Sequence, residues 1–130
     1  MKPTERIIEL AKRLHDLGYR KEINKGDWYL MTYTKRLIEN VMCIYSGTGK
    51  FPDADKYTTY TPIPSLEDGL GWLEKEHCQK QGNILSLVYI DTFNENDEPL
   101  NAWRVNLISE NCNTPHEAVL LAMIKVLEEK

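Results

Sequence analysis

No stretch of this 130-residue sequence is long and apolar enough to cross a bilayer. The uninterrupted apolar runs, such as residues 118–124 and 87–90, fall far short of the ~20 residues that a spanning helix needs. The start, Met1-Lys2-Pro3-Thr4, lacks an apolar signal region, which points away from secretion. Cysteine is scarce. Cys43, Cys78 and Cys112 form an odd set at wide spacing, which does not fit a disulfide framework and favours a reducing compartment. Internal repeats, low-complexity tracts and linkers are missing as well. We therefore expect a soluble, cytoplasmic protein, folded as a single domain over residues 1–130 and not associated with a membrane.

The motifs that carry common chemistries are incomplete. Gly47-Thr48-Gly49-Lys50 suggests a phosphate-binding loop, but Ile44 stands where its first glycine belongs. Phe51 follows the lysine where a magnesium-binding hydroxyl is needed. His77-Cys78 is the only adjacent pair of soft ligands, and structural zinc asks for four, often as two close pairs. The oxygen-rich run 91–98 lacks the sharp-turn glycine of a calcium loop, and Ala102 occupies its closing position. Asp53 and Asp55 are near neighbours, but paired carboxylates need a pocket and shifted pKa values to do acid–base work. Ser46, Ser65, Ser86 and Ser109 sit in no nucleophile elbow. The expectation is a non-enzyme with no catalytic residue, no metal site and no cofactor.

What is present is the composition of a globular protein, 42% hydrophobic and 28% charged. Net charge is −4 and unevenly placed. Residues 1–50 carry ten Lys+Arg and six Asp+Glu, net +4, while residues 51–130 carry six and fourteen, net −8. Such asymmetry can mark a face for an acidic partner, although unequal halves of one domain explain it as well.

Periodicity predicts a helix over residues 4–17, with Ile7, Leu10, Ala11, Leu14 and Leu17 on one stripe, Thr4 as its cap and Gly18 as its stop. Tyr19 beyond the stop is placed to pack back on Leu14. Residues 28–33 are aromatic-rich and suit a strand. Residues 37–45 fit a helix or a strand buried on both faces, and we favour a strand paired with 28–33. Residues 46–64 read as a long irregular connection, broken by glycine and proline. A second helix begins at the capping sequence Ser65-Leu66-Glu67-Asp68 and ends near Gly82. Strands are expected over 84–91, apolar on both faces, and over 100–109, half exposed and antiparallel to it. Thr114-Pro115-His116-Glu117 starts a last helix with Leu120, Met123, Ile124 and Leu127 as its core stripe. The expected class is α+β in the order αββαββα. It implies a mainly antiparallel sheet of about four strands flanked by three helices.

The run 61–73, the tail 114–129, and the segments Leu17-Gly18-Tyr19 and Gly26-Asp27-Trp28-Tyr29 resemble those of small uncharacterised phage and prophage proteins grouped as ABA-sandwich domains. The resemblance implies helices on both sides of a central sheet and an accessory role, and it transfers no activity to any residue.

One surface candidate emerges. Trp28, Tyr29 and Tyr33 neighbour Lys25, Lys35 and Arg36, with Arg20 and Lys21 nearby. Stacking rings beside a positive track are how single-stranded nucleic acid is held. Strand alternation, however, sends about half of such rings inward. Tyr57 and Tyr60 are weaker candidates of the same kind. The expected partner is an unidentified protein, with nucleic acid as the alternative. An assembled enzyme site not visible in sequence is a further alternative. A homodimer through the edge of the 100–109 strand is left open.

Overall fold

Thr4 sets the first boundary. Its Oγ1 accepts the Ile7 N–H at 3.3 Å, and helix α1 follows as Glu5–Asp16. The helix closes as its glycine predicts. Gly18 takes φ +102°, its N–H donates to the His15 carbonyl at 3.1 Å, and the Tyr19 N–H donates to the Leu14 carbonyl at 2.9 Å. That hydrogen-bond pair is a Schellman ending, and it turns Tyr19 into the core with Leu14.

The computed structural model describes residues 2–35, 37–47, 49–93, 95–108 and 110–129, with the backbone alone for Glu39, Thr92 and Leu100. The chain divides into two compact units, residues 1–65 and 66–130.

In the N-terminal unit, β1 (Trp28–Tyr33) lies between β2 (Glu39–Ile44) and β3 (Thr58–Pro62), antiparallel to both. The preference for a strand in 37–45 is right, and its pairing with 28–33 is direct: Trp28 faces Ile44, and Leu30 faces Met42. The turn between α1 and β1 is held by Asp27. Its Oδ2 accepts the Asn24 N–H at 2.8 Å and the Lys21 Nζ at 2.6 Å. Helix α1 packs on β3. The buried set of this unit includes Ile7, Leu10, Ala11, Leu14, Tyr19, Ile23, Leu30, Ile63 and Pro64.

Strand β3 was not expected, because Pro62 and Pro64 dominate the reading of 46–64. The preceding Tyr57-Thr58-Thr59-Tyr60-Thr61 is β-branched and aromatic, which suits a pleated surface. Pro62 is tolerated because β3 is an edge strand and Pro62 is its last residue. The ladder resumes beyond it, where the Ile63 N–H donates to the Trp28 carbonyl at 3.0 Å.

In the C-terminal unit, the second helical stretch runs as α2 (Leu66–Leu73), a π-helical turn (Glu74–Cys78) and α3 (Gln79–Gln81), ending at Gly82 with φ +71°. The last helix, α4 (Pro115–Glu128), begins with Thr114 accepting the Glu117 N–H at 3.1 Å. It packs against α2 and β5. Val119, Leu120 and Met123 are fully enclosed, each contributing about 1.5–3 kcal/mol of burial.

Strand β4 (Leu87–Phe93) pairs with β5 (Pro99–Val105) in a separate two-stranded sheet. The class is α+β, as expected, but the order is αβββαββα and the strands form two sheets rather than one of about four. The strand expected over 84–91 starts at Leu87 instead. Ile84 is 79% exposed, and Asn106 takes its segment into a loop, donating Nδ2 to the Ile84 carbonyl at 2.6 Å. Cover on both faces of β4 is also absent, since Val88 and Tyr89 point to opposite faces and both are exposed. The outer edge of β5 is not fully open to a second copy. Trp103 and Cys112 exchange backbone hydrogen bonds of 2.7 and 2.8 Å there. Ser109, the end of that expected strand, lies outside the described residues. Among the described residues, no helix is long and apolar enough to cross a membrane.

Candidate functional site

The six residues singled out from sequence do not form one surface. Alternation along β1 sends Trp28, Leu30 and Thr32 to one face of the sheet and Tyr29, Met31 and Tyr33 to the other. Lys25 and Trp28 lie at one end of β1, Tyr33 and Lys35 at the opposite end, about 17 Å away at the rise of a strand. Arg36 lies outside the described residues.

Tyr29 is structural. In the sheet register it lies opposite Cys43 of β2 and Pro62 of β3. Phe51, from the loop between β2 and β3, sits on this face as the hub of an aromatic cluster. Its ring centroid is 4.9 Å from Tyr29, 5.0 Å from Tyr45 and 4.8 Å from Tyr60, edge-to-face in each case. Tyr29 and Tyr60 also meet at 5.9 Å. Loss of solvent raises the Tyr29 pKa, and the neighbouring Cys43, Tyr60 and Tyr45 raise it further. Sequence reading missed Phe51 because it sits in a stretch assigned to irregular chain.

The opposite end of the sheet is different. The Thr34 N–H donates to the Tyr57 carbonyl at 2.9 Å, and Tyr33 pairs with Thr58 in the next register position. These contacts bring the end of β1 beside Tyr57. The Lys56 ammonium lies 5.4 Å and the Lys35 ammonium 5.8 Å from the Tyr57 ring centroid. Both distances allow cation–π attraction. Tyr57 is 38% exposed and Tyr33 36% exposed, large open areas for aromatic side chains. The group is therefore one part-exposed ring, Tyr57, and two cations, drawn from the β1 end and the chain entering β3.

Asp55 holds this entry in shape. Its Oδ1 accepts the N–H groups of Tyr57 and Thr58, each at 2.8 Å. Those two backbone donors, Tyr57 first, lower the Asp55 pKa. The sequence signal for this arrangement was an Asx turn, Asp-x-Tyr-Thr, that the glycine and proline content of the segment obscured.

The remaining sequence candidates do not converge. Cys78 is buried in the π turn, where desolvation and then the Glu74 carboxylate push its thiol pKa up. His77, its neighbour, lines an open polar cleft with Gly82, Asn83, Ile84, Asn106 and Leu107. Thr48 of the glycine-rich run lies outside the described residues, and Lys50 is highly exposed. Asp91 belongs to β4, and Asn94 of the same run lies outside the described residues. Among the described residues, no three His, Cys, Asp or Glu side chains are grouped to hold a metal ion. No protein-family model matches the chain, and no curated protein or solved structure matches it.

Proposed function

We propose that this is a small binding protein whose N-terminal unit takes single-stranded nucleic acid. The observation that carries the reading is the part-exposed Tyr57 ring with the Lys35 and Lys56 ammonium groups 5.8 and 5.4 Å from its centroid. The two ammonium groups can leave the ring for the phosphates of a bound strand, which frees its face to stack on any base. The charge division supports the placement. Residues 1–65 carry eleven Lys+Arg against eight Asp+Glu, while residues 66–130 carry five against twelve. The C-terminal unit repels a polyanion, and the N-terminal unit attracts one.

Binding of a fluorescent oligonucleotide, measured across a salt series, tests this. The affinity should fall linearly with log salt, at a slope near −0.7 per phosphate neutralised. No binding at low salt would end the reading.

A protein partner is the second reading, favoured by the exposed apolar side chains Val88, Tyr89 and Phe93 on β4. The sequence resemblance to phage and prophage proteins would fit such a partner to an accessory role. Affinity capture with Tyr89→Ser as the control tests it: partners retained equally by wild type and variant would remove β4 as the contact.

A further inference from the structure

The cluster around Phe51 does more than close the loop over the sheet. Beside it the N-terminal unit has a groove of about 370 Å³. That volume lies within the usual range for small-molecule sites, roughly 300–1,000 Å³. Phe51 and Tyr60 form an aromatic wall, with Ile23, Pro52 and Pro62 as further apolar lining. The polar lining is two-signed: His15, Arg20, Lys21 and Lys50 against Glu22 and Asp53.

The cations are not equivalent. Lys21 is committed to Asp27 at 2.6 Å. Lys50 stands 3.9 Å from Asp53, but both are more than four-fifths exposed, and such surface pairs hold weakly. Arg20 is fixed without being neutralised. Its Nη1 donates to the carbonyl oxygens of His15 at 2.7 Å and Tyr19 at 2.9 Å, two uncharged acceptors at the end of α1. The rest of the guanidinium fork keeps its charge and further donors for an anion. An aromatic wall and an oriented guanidinium on one groove call for a ligand with a ring at one end and an anionic group at the other.

We propose that this groove binds a small ring-bearing phosphate of the nucleoside monophosphate type. The ring lies against Phe51 and Tyr60, and the phosphate sits on Arg20 with Lys50 as the second cation. This site is distinct from the Tyr57 group. It stands on the groove's own residues, and it does not need the Tyr57 reading to hold.

Titration of the isotope-labelled protein with adenosine monophosphate, adenosine and inorganic phosphate, followed by NMR, tests the proposal. The monophosphate should shift the signals of Ile23, Phe51 and Tyr60 in a saturable way. Adenosine and phosphate alone should each bind at least about tenfold more weakly, since each offers half of the recognition. Lys50→Glu, on an exposed loop side chain, should weaken the monophosphate about fivefold or more, and Arg20→Gln by more than that. Tyr57→Ala should leave monophosphate binding unchanged. Absence of saturable shifts at these residues would overturn the proposal, as would equal affinity for adenosine, which would make the cations irrelevant. Loss of binding in Tyr57→Ala with retention in Lys50→Glu would also overturn it, by moving the ligand to the other end of the sheet. Failure of oligonucleotide binding alone would leave this result standing, so the two readings fail separately.

Discussion

Gly69 of α2 lies so close to Val119 of α4 that a methyl group on Gly69 would overlap the Val119 Cγ1. The same methyl group would come within 3.2 Å of the Met123 sulfur. The close packing of these two helices is thus conditional on a missing side chain. Gly71, two residues along, is exposed and has nothing within 4 Å of the same position. The two glycines should therefore respond oppositely to alanine. Gly71→Ala should stabilise by about 1 kcal/mol through helix propensity alone. Gly69→Ala gains the same propensity but meets about 1–3 kcal/mol of overpacking, for a net loss of about 1 kcal/mol. Adding Val119→Ala should relieve the overlap, so that the double variant is more stable than the sum of the singles predicts. Urea unfolding measures the four variants against wild type. A stabilising Gly69→Ala would show that α2 and α4 do not approach this closely.

Phe51 should be worth more than its loop position suggests. It meets three tyrosines edge-to-face at 4.8–5.0 Å. Each such pair contributes about 0.5–1.5 kcal/mol beyond its burial. Phe51→Ala should cost about 2–3 kcal/mol, and Phe51→Leu, which keeps much of the volume and loses the ring edges, about half of that. The check is again urea unfolding, with tyrosine fluorescence as a local reporter. Equal stability of wild type and Phe51→Ala would mean that the loop over this face is not anchored by the ring.

The caps, stripes and stops were legible because each acts over one or two helical turns. Thr4, Gly18, Gly82 and Thr114 do what their local chemistry predicts. What was not legible depends on partners distant in sequence. Strand β3 exists because β1 offers it an edge, and nothing within residues 58–62 announces that edge against the signal of Pro62 and Pro64. Division of the strands into two sheets is equally non-local. Of the candidate surface, Lys35 and, as a weaker candidate, Tyr57 were visible, but not their proximity, since the two are more than twenty residues apart, and Lys56 was not singled out. Trp28 and Tyr29 drew attention by composition alone. Period-two alternation separates them, and the Phe51 cluster claims Tyr29 for the interior of the loop.

The Tyr57 group gives a prediction in which stability and binding part company. Tyr57 is open and Lys35 and Lys56 lie over its ring, so Tyr57→Ala should change the unfolding free energy by less than about 1 kcal/mol. The same substitution should weaken oligonucleotide binding by about 1–3 kcal/mol, the usual worth of one stacked base. Lys35→Gln and Lys56→Gln should each reduce the salt slope by about 0.7. Tyr29→Phe serves as the contrast, since Tyr29 belongs to the cluster and should leave oligonucleotide affinity unaltered. Unchanged affinity in Tyr57→Ala, with the fold intact by circular dichroism, would remove this surface from the binding reaction.

His15 makes stability depend on pH in a direction set by its surroundings. Partial burial lowers its pKa below the ordinary 6.5, the Arg20 guanidinium lowers it further, and the Asp16 carboxylate opposes them. In the unfolded chain the imidazole takes up its proton as pH falls through about 6.5, while the folded protein resists until a lower pH. Between those two values the unfolded state binds more protons, so stability is lost on acidification and the loss levels off once the folded His15 is also protonated. That loss is absent above about pH 7.5, where His15 is neutral in both states. Two variants separate the causes. His15→Gln should flatten this part of the stability–pH curve, and Arg20→Gln should move the His15 titration towards 6.5 while leaving the burial contribution in place. Titration of the His15 Cε1 proton by NMR reads the pKa directly. A value at or above 6.5 in the wild type would mean that neither burial at the end of α1 nor the charge of Arg20 acts on the ring as its position requires.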